Sequence, residues 1–146
     1  MNRAQKILRI GRLGEELVQE VLSKTGDVVN LSESRFDSVK DMMINDQITV
    51  EVKTLVSIKK YNAFALGSSQ WKKCDEVDRL FFVEIPSTET DPIVLWESLK
   101  PRKYFTQYFN GDTCRMYTKS DLHNYENVYN KDISKELCEL SPSKYR

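Results

Sequence analysis

The chain has 146 residues, of which 40% are hydrophobic. A chain of this size can form one core that buries about two thirds of the surface exposed by the unfolded chain. We therefore predict a single domain over residues 1–146. Its 22 basic and 22 acidic residues balance, which excludes the global positive field that draws strongly basic proteins onto nucleic acid or membranes. The three cysteines lack metal-ligand spacing, which predicts reduced thiols. No apolar stretch approaches the ~20 residues of a membrane span or resembles a secretory signal, so we predict a cytoplasmic protein with no membrane partner.

The charges are nevertheless unevenly distributed along the chain. Residues 1–13 carry four bases and no acid, residues 14–51 carry nine acids against three bases, and residues 100–119 carry five bases against one acid. A metal bound by the acidic part and phosphates bound by the basic parts would fit this layout, and so would ordinary solvated surface charge. Any polyanion has to be bound through local contacts.

The first predicted element is an amphipathic helix from Ala4 to Ser23, which ends before Gly26. With Leu17 at the centre of its apolar stripe and about 100° of rotation per residue, Glu16 flanks the apolar face and Glu15 points away from it. Glu16 can therefore lie at the rim of a site beside the core. The apolar residues at helical spacing are Ile10, Leu13, Leu17 and Val21.

Residues 41–53 predict a β-hairpin, and its loop length decides which side chains share a face. A two-residue loop would pair apolar with polar residues. A three-residue loop over residues 45–47 pairs Ile44 with Ile48 instead, and it places most apolar residues on one face of the hairpin and most polar residues on the other. One face then holds Met42, Ile44, Ile48, Val50 and Val52, and the other holds Asp41, Met43, Thr49, Glu51 and Lys53, with Asp41 opposite Glu51.

The remaining elements indicate a mixed α/β fold. We predict a short helix that is capped by Ser68 or Ser69 and runs through Lys72. Tyr104, Phe105, Tyr108 and Phe109 are predicted to share one side of a helix. The other predicted elements are strands over Leu80–Ile85, Ile93–Trp96 and Arg115–Tyr117, and a last helix over Ile133–Leu140.

Two carboxylates and a cation on one face of the hairpin form a compact set of hard oxygen ligands beside a positive charge. Mg²⁺, or Mn²⁺ in its place, suits such a set, because it takes one or two protein carboxylates and keeps waters and substrate phosphate oxygens as its other ligands. A metal-bound water can then act as the nucleophile. The residues concerned are Asp41, Glu51 and Lys53.

These residues resemble the PD-(D/E)XK nuclease superfamily, through the first-helix sequence Gly-Glu-Glu-Leu-Val, the following Asp41 and the triplet that ends at Lys53. The resemblance implies a restriction-endonuclease-like mixed β-sheet flanked by helices, and divalent-metal cleavage of nucleic acid. It also implies that Asp41 and Glu51, with the Val52 carbonyl, bind the metal. Lys53 would orient the attacking water and stabilise negative charge, and Glu16 would support the metal's ligands through water.

The resemblance covers residues 10–85 and departs from the family pattern at the proline, because Lys40 precedes Asp41 where the family has Pro-Asp. Asp37 competes with Asp41 as the first ligand, although it would lie two pairs farther along the hairpin. Gln70 matches a site glutamine of some family members, and it also fits a polar helix surface.

Phosphate contacts are predicted at two groups of basic residues. The densest basic segment supplies Arg102, Lys103, Arg115 and Lys119, and a loop that also fits plain solvated surface supplies Lys59 and Lys60. Trp71 and the aromatic residues between 104 and 109 fit core or subunit packing as well as stacking on bases. His123, the one histidine, fits a surface or capping position and gives poor support to a histidine-based triad.

The resemblance therefore implies a Mg²⁺-dependent endonuclease that hydrolyses phosphodiester bonds of double-stranded DNA, site-specific in the manner of homing or restriction enzymes. A Holliday-junction or branched-DNA resolvase, an enzyme that cleaves RNA, and a non-catalytic nucleic-acid-binding protein with a nuclease fold are the alternatives. Because one active site usually cuts one strand, we also expect a homo-oligomer, either a dimer or a tetramer.

Overall fold

A computed structural model describes residues 1–32 and 40–141 of the chain. Asp37, the competing first ligand, lies outside these ranges. No helix within them is long and apolar enough to cross a membrane. The elements are α1 (Arg3–Ser23), β1 (Val29–Leu31), β2 (Met42–Ile44), β3 (Ile48–Leu55), β4 (Ala63–Leu66), α2 (Ser68–Cys74), β5 (Arg79–Glu84), β6 (Ile93–Ser98), β7 (Phe105–Phe109), β8 (Asp112–Thr118), β9 (His123–Val128) and α3 (Lys131–Leu140), with one 3₁₀ turn between β8 and β9.

The strands form two sheets, which confirms the prediction of a mixed α/β fold. The larger sheet has the order β1-β2-β3-β5-β6-β9, with β3 and β5 parallel and the other neighbours antiparallel. The smaller sheet has the order β4-β8-β7. Alternate side chains of β3 and β5 point to opposite faces of the larger sheet, and both faces are covered. On one face α1 and α3 pack, and on the other α2 and the smaller sheet pack.

The predicted hairpin register is confirmed. Met42 pairs with Val50 and Ile44 with Ile48, so the loop between β2 and β3 is three residues long. Asn45 and Asp46 adopt positive φ angles of 51° and 56° in this loop. Asparagine and aspartate tolerate that left-handed conformation better than other non-glycine residues, which explains how the loop closes without a glycine.

Two predictions between residues 68 and 109 are wrong. The aromatic segment from 104 to 109 does not form a helix: β7 runs antiparallel to β8 across a two-residue turn. The N-cap of α2 is Gly67, without a side-chain cap of its own, and the carboxylate of Asp112 accepts the Ser68 amide at 3.1 Å instead of a serine hydroxyl. The charge on this distant carboxylate complements the positive end of the helix.

The predicted orientation of α1 is also wrong. Its buried stripe includes Gly14 and Val18 as well as the expected leucines, which moves the centre of the stripe away from Leu17. As a result Glu16 is exposed, and Glu15 is the half-buried carboxylate at the edge of the stripe. Glycine carries no apolar side chain, so its burial was not visible in the hydrophobic pattern.

The burial of Gly14 lets α1 lie directly against β3. A Cβ atom at Gly14 would stand 1.7 Å from Oγ1 of Thr54, whereas a Cβ at Gly11, one turn earlier, would meet its nearest atom at 3.9 Å. We therefore expect Gly14→Ala to lower the free energy of unfolding by about 1–3 kcal/mol through overpacking. Gly11→Ala should raise it by about 0.5–1 kcal/mol through helix propensity.

Urea denaturation of the two alanine variants beside the wild type measures this difference. Thr54→Ala, added to Gly14→Ala, should restore part of the lost stability because it removes the atoms that clash. Equal stabilisation by both glycine replacements would show that α1 and β3 can separate at no cost.

Candidate active site

Asp41 is held in a fixed position immediately before β2. Its backbone N–H donates to the carbonyl of Val50 at 2.9 Å, and its side-chain Oδ2 accepts the backbone N–H of Val52 at 2.8 Å. Both contacts are to β3, so the position of this carboxylate is tied to the strand that carries Glu51 and Lys53. Local backbone pairing, rather than a distant contact, thus brings the two acids together.

Glu51 is buried, with 5% of its surface exposed. Burial, and after it a hydrogen bond and the negative charge from Asp41, raise the pKa of Glu51 to about 8, while Lys53 opposes the shift. Two carboxylates in direct contact away from water cannot both be charged unless a proton or a cation lies between them. Burial beside a second carboxylate therefore favours the protonated form of Glu51 in the absence of a cation.

Lys53 completes the group on the same face of β3. Its Nζ lies 3.4 Å from Oε1 of Glu51, and its side chain is 18% exposed. The predicted assembly of Asp41, Glu51 and Lys53 is thus present in the structure. Val52 points the other way into the core under α1, so it could contribute a ligand through its main chain alone.

A cavity of about 720 Å³ opens beside Lys53. Gln70, on α2, lines it together with Lys53, and so does Lys59, from the loop after β3. The structure therefore brings two more of the predicted site residues to one space, although they are distant in sequence. The remaining walls come from the first half of α1, which includes Gly11, and from the end of β3.

The α1 carboxylates differ from the prediction. Glu16 is ion-paired with Arg12, with Nε and Oε1 3.3 Å apart, and half of its side chain is exposed. Glu15 is more buried, with 22% of its side chain exposed, and its Oε2 extends back towards Gly11 at the cavity wall. Of the two carboxylates, Glu15 is the one directed towards a residue of the cavity wall. The sequence favoured Glu16 because the hydrophobic pattern could not show that Gly14 is buried.

Three of the residues that were predicted to contact phosphate interact with other parts of the protein instead. Arg102 donates to the carbonyls of Cys74 and Val77 at 2.9 and 3.0 Å. Arg115 is buried, with its guanidinium about 4 Å from the rings of Trp71 and Tyr104 and ion-paired with Asp75 at 2.6 Å. Lys119 is ion-paired with Glu84. The exposed bases of the predicted set are Lys59, Lys60 and Lys103.

A second polar cluster, missed in the sequence, surrounds Glu84 at the end of β5. One of its oxygens accepts hydrogen bonds from Ser57 at 2.9 Å and from Lys119, and the other accepts the indole N–H of Trp96 at 3.1 Å. Ser57 also lines the cavity beside Lys53. An acid inside the otherwise apolar strand Leu80–Ile85 was the available signal, since a buried charge requires partners.

The donor set is suited to a magnesium ion with few protein ligands. Among residues 1–32 and 40–141, no group of three or more histidine, cysteine, aspartate or glutamate side chains is arranged to hold a metal. Asp41 and Glu51 offer two carboxylates, which is the number that Mg²⁺ commonly takes from a protein when waters and substrate phosphates fill the rest. A cation bound between the two carboxylates would relieve the repulsion that raises the pKa of Glu51.

Comparisons of the chain with protein-family models, with curated proteins and with solved structures found no match. The interpretation of the site therefore depends on its own geometry. That geometry consists of the half-buried Asp41 against the buried Glu51, a lysine beside them and a glutamine that lines the adjoining cavity. Each of these groups has a defined place in metal-assisted hydrolysis.

Proposed function

We propose that this chain is a Mg²⁺-dependent DNA endonuclease of the PD-(D/E)XK type, with a restriction-endonuclease-like fold. One observation carries the proposal: the half-buried Asp41 lies against the buried Glu51, and Nζ of Lys53 is 3.4 Å from Oε1 of Glu51 on the same face of the sheet. A purely structural role does not explain the arrangement, because a buried acid held against a second acid reduces stability above neutral pH. Such an arrangement is typical of functional sites.

Each residue has a role in the proposed reaction. Asp41 and Glu51, with the main chain of Val52, would hold the ion, and Glu51 would release its proton when the ion binds. When bound, Mg²⁺ or Mn²⁺ lowers the pKa of water and neutralises charge on the phosphate. Lys53, at the cavity wall, would donate a hydrogen bond to the attacking water or to the phosphoryl oxygen on which negative charge develops. Gln70, which lines the same cavity, would position the nucleophile or the substrate.

The decisive experiment is incubation of the full chain with linear, supercoiled, branched and single-stranded DNA and with RNA. Each substrate is tested with Mg²⁺, Mn²⁺, Ca²⁺ or EDTA. We expect cleavage of duplex DNA with Mg²⁺ or Mn²⁺, and binding with little cutting in Ca²⁺, because Ca²⁺ polarises its water less. Full cleavage in excess EDTA would contradict the proposed mechanism.

The same panel separates the alternatives. Discrete duplex fragments indicate a site-specific enzyme of the homing or restriction kind, whereas cutting confined to branched DNA indicates a junction resolvase. Cutting confined to RNA would change the substrate class and keep the proposed site. Binding without cutting of any substrate in Mg²⁺ or Mn²⁺ would identify a non-catalytic nucleic-acid-binding protein.

The exposed lysines next to the cavity are proposed to hold the phosphate backbone. Each phosphate-neutralising side chain contributes roughly 0.9 to the slope of log affinity against log salt on duplex DNA. Replacing both Lys59 and Lys60 with alanine should therefore flatten that slope by about 2. The loss should be equal on target and non-target DNA, because phosphate contacts do not read sequence.

Arg115→Ala is the matched control for this measurement. Its guanidinium is buried between two aromatic rings, so the variant should unfold at a lower temperature and keep the wild-type salt slope. Fluorescence anisotropy in Ca²⁺, with a Glu51→Gln background that prevents turnover, gives both slopes. An unchanged slope after the double lysine replacement would assign those residues to ordinary surface.

A further inference from the structure

The strand β7 is an edge strand without the usual protection. It stands at the end of the smaller sheet in the part of the chain that the structure describes, and its sequence Phe-Thr-Gln-Tyr-Phe contains no charge. Four of its five residues are exposed, with Tyr108 70% exposed. By contrast β9, at one edge of the larger sheet, carries Glu126. Exposed edges are normally protected by charge, proline or a covering segment, because they pair readily with another strand.

The turn between β7 and β8 determines which backbone groups face the open edge. Asn110 and Gly111 have positive φ angles of 47° and 80°, as in a two-residue type I′ hairpin loop. Phe109 and Asp112, which flank this loop, are therefore a hydrogen-bonded pair. Because hydrogen-bonded and non-hydrogen-bonded pairs alternate along an antiparallel ladder, the N–H and C=O groups of Thr106 and Tyr108 point away from β8.

We propose that β7 pairs antiparallel with β7 of a second copy of this chain, around a two-fold axis at Gln107. The strand is nearly symmetric about this residue, with Phe105 and Phe109 equally far from it on one face and Thr106 and Tyr108 equally far on the other. The pairing joins the smaller sheets of the two copies into one continuous sheet. It is an isologous interface, since the same residues lie on both sides.

In the symmetric register, the unpaired backbone groups at the open edge of β7 gain hydrogen-bond partners. Thr106 of each copy exchanges both backbone hydrogen bonds with Tyr108 of the other, so the outward-facing groups of these residues are paired. Phe105 then lies opposite Phe109 of the second copy in a close, non-hydrogen-bonded pair, which favours contact between aromatic side chains. The ring of Tyr61 already packs edge-on against Phe105, with centroids 5.7 Å apart, and extends this aromatic surface.

The charges around β7 also suit a second copy. If the pairing continues beyond β7, the exposed Lys103 falls opposite Gly111 of the second copy, beside the acidic residue Asp112 of that copy, once on each side of the axis. No like charges oppose each other within the paired strands, because β7 contains none. Nucleic acid is the competing occupant, since aromatic side chains can stack on bases. The backbone groups at the open edge favour a strand, because the bases and phosphates of a nucleic acid do not match their spacing.

Charge replacement at the axis tests the proposal. Gln107→Lys and Gln107→Glu each place two like charges directly opposite one another in the dimer, and each should weaken dimerisation by about tenfold or more. An equimolar mixture of the two variants should restore the dimer, because lysine then faces glutamate. Sedimentation-velocity ultracentrifugation of the full chain without DNA or metal measures these states, so the result does not depend on the nuclease proposal.

Thr106→Pro is the second variant. Its N–H faces the open edge and not β8, so proline should remove a bond of the dimer and leave the monomer folded, as circular dichroism can check. A wild-type chain that stays monomeric at high concentration would overturn the proposal, as would dimeric Gln107 variants or a mixture that does not associate. If the wild type is monomeric and Gln107→Lys strengthens DNA binding while Gln107→Glu weakens it, β7 contacts nucleic acid instead.

Discussion

Glu51→Gln is expected to reduce Mg²⁺-dependent cleavage by roughly a thousandfold or more, while the protein stays folded. The loss follows from removing one of the two carboxylates that hold the ion, since several kcal/mol of charge stabilisation disappear and about 1.4 kcal/mol corresponds to a factor of ten. The fold should tolerate the change, because the raised pKa of Glu51 favours its protonated form and glutamine has nearly the same shape as the protonated acid. At pH 6 its stability should lie within about 1 kcal/mol of the wild type.

Glu97→Gln is the matched control, because Glu97 is an equally buried carboxylate on the other face of the same sheet. Its oxygens accept two hydrogen bonds from Arg79, at 2.8 and 2.9 Å. Breaking this ion pair should cost about 2–3 kcal/mol of unfolding free energy, less than for a fully buried pair since Arg79 is partly exposed. Cleavage per folded molecule should remain at the wild-type level.

The two variants should thus give opposite results in the cleavage and stability assays: Glu51→Gln should lose cleavage and keep its stability, and Glu97→Gln should lose stability and keep its cleavage. Cleavage is measured under single-turnover conditions below the melting temperature of the less stable variant, and stability by urea denaturation. Normal turnover by a folded Glu51→Gln protein would remove the central claim about the site. Loss of cleavage in both variants would show that activity follows stability alone.

The stability of the wild type is expected to fall as the pH rises from about 4.5 to about 8. Burial raises the folded-state pKa of Glu51 to about 8, against an ordinary value of 4.5. Within this window the folded protein keeps the proton that the unfolded chain has lost, so stability is greatest below the unfolded pKa and decreases towards the folded one. The slope from this group reaches at most about 1.4 kcal/mol per pH unit.

Comparison with Glu51→Gln isolates the contribution of this group. The surface carboxylates Asp78 and Asp112 have pKa values lowered by hydrogen bonds from Thr49 and Ser68 respectively, so their stabilising effect is lost only in acid, below the window. The difference in unfolding free energy between wild type and variant should therefore grow in favour of the variant between pH 5 and pH 8. Parallel pH profiles for the two proteins would show that Glu51 titrates normally.

Magnesium should oppose this loss of stability. An ion that binds between the carboxylates replaces the shared proton, so its binding releases a proton and becomes stronger as the pH rises. The melting temperature of the wild type should therefore rise more with Mg²⁺ at pH 8 than at pH 6. No such difference is expected for Glu51→Gln. Calorimetric titration in two buffers of different ionisation enthalpy counts the released protons directly.

The sequence was sufficient to predict the hairpin of the site. Apolar and polar residues alternate along both strands that flank the Asn45 loop. A shift of the strand pairing by one residue would expose the apolar residues, so only one register of the hairpin is favourable. The orientation of α1 was not predictable in the same way, because the close contact between Gly14 and Thr54 arises from packing. A hydrophobic pattern gives a glycine no weight, and the wrong glutamate was therefore chosen.

The region after residue 100 shows a second limit of the sequence. The aromatic residues from 104 to 109 match a helical period, but Asn110-Gly111 is a strong signal for a two-residue hairpin and should have decided between the two. The internal partners of Arg115 and Lys119 lie 40 and 35 residues away. A local charge count cannot detect such pairs, so buried bases were taken for phosphate contacts.

From the parallel pairing of β3 with β5, we expect this site to assemble in an early and a late step. Asp41 and Glu51 meet through a ten-residue contact, which forms on the microsecond scale of hairpins. Their burial requires the whole crossover from β3 through α2 to β5, and non-local parallel pairing is intrinsically slow. A nascent chain that has emerged only as far as α2 would thus hold both acids in water, each free to ionise, and would acquire the shared proton when β5 joins the sheet.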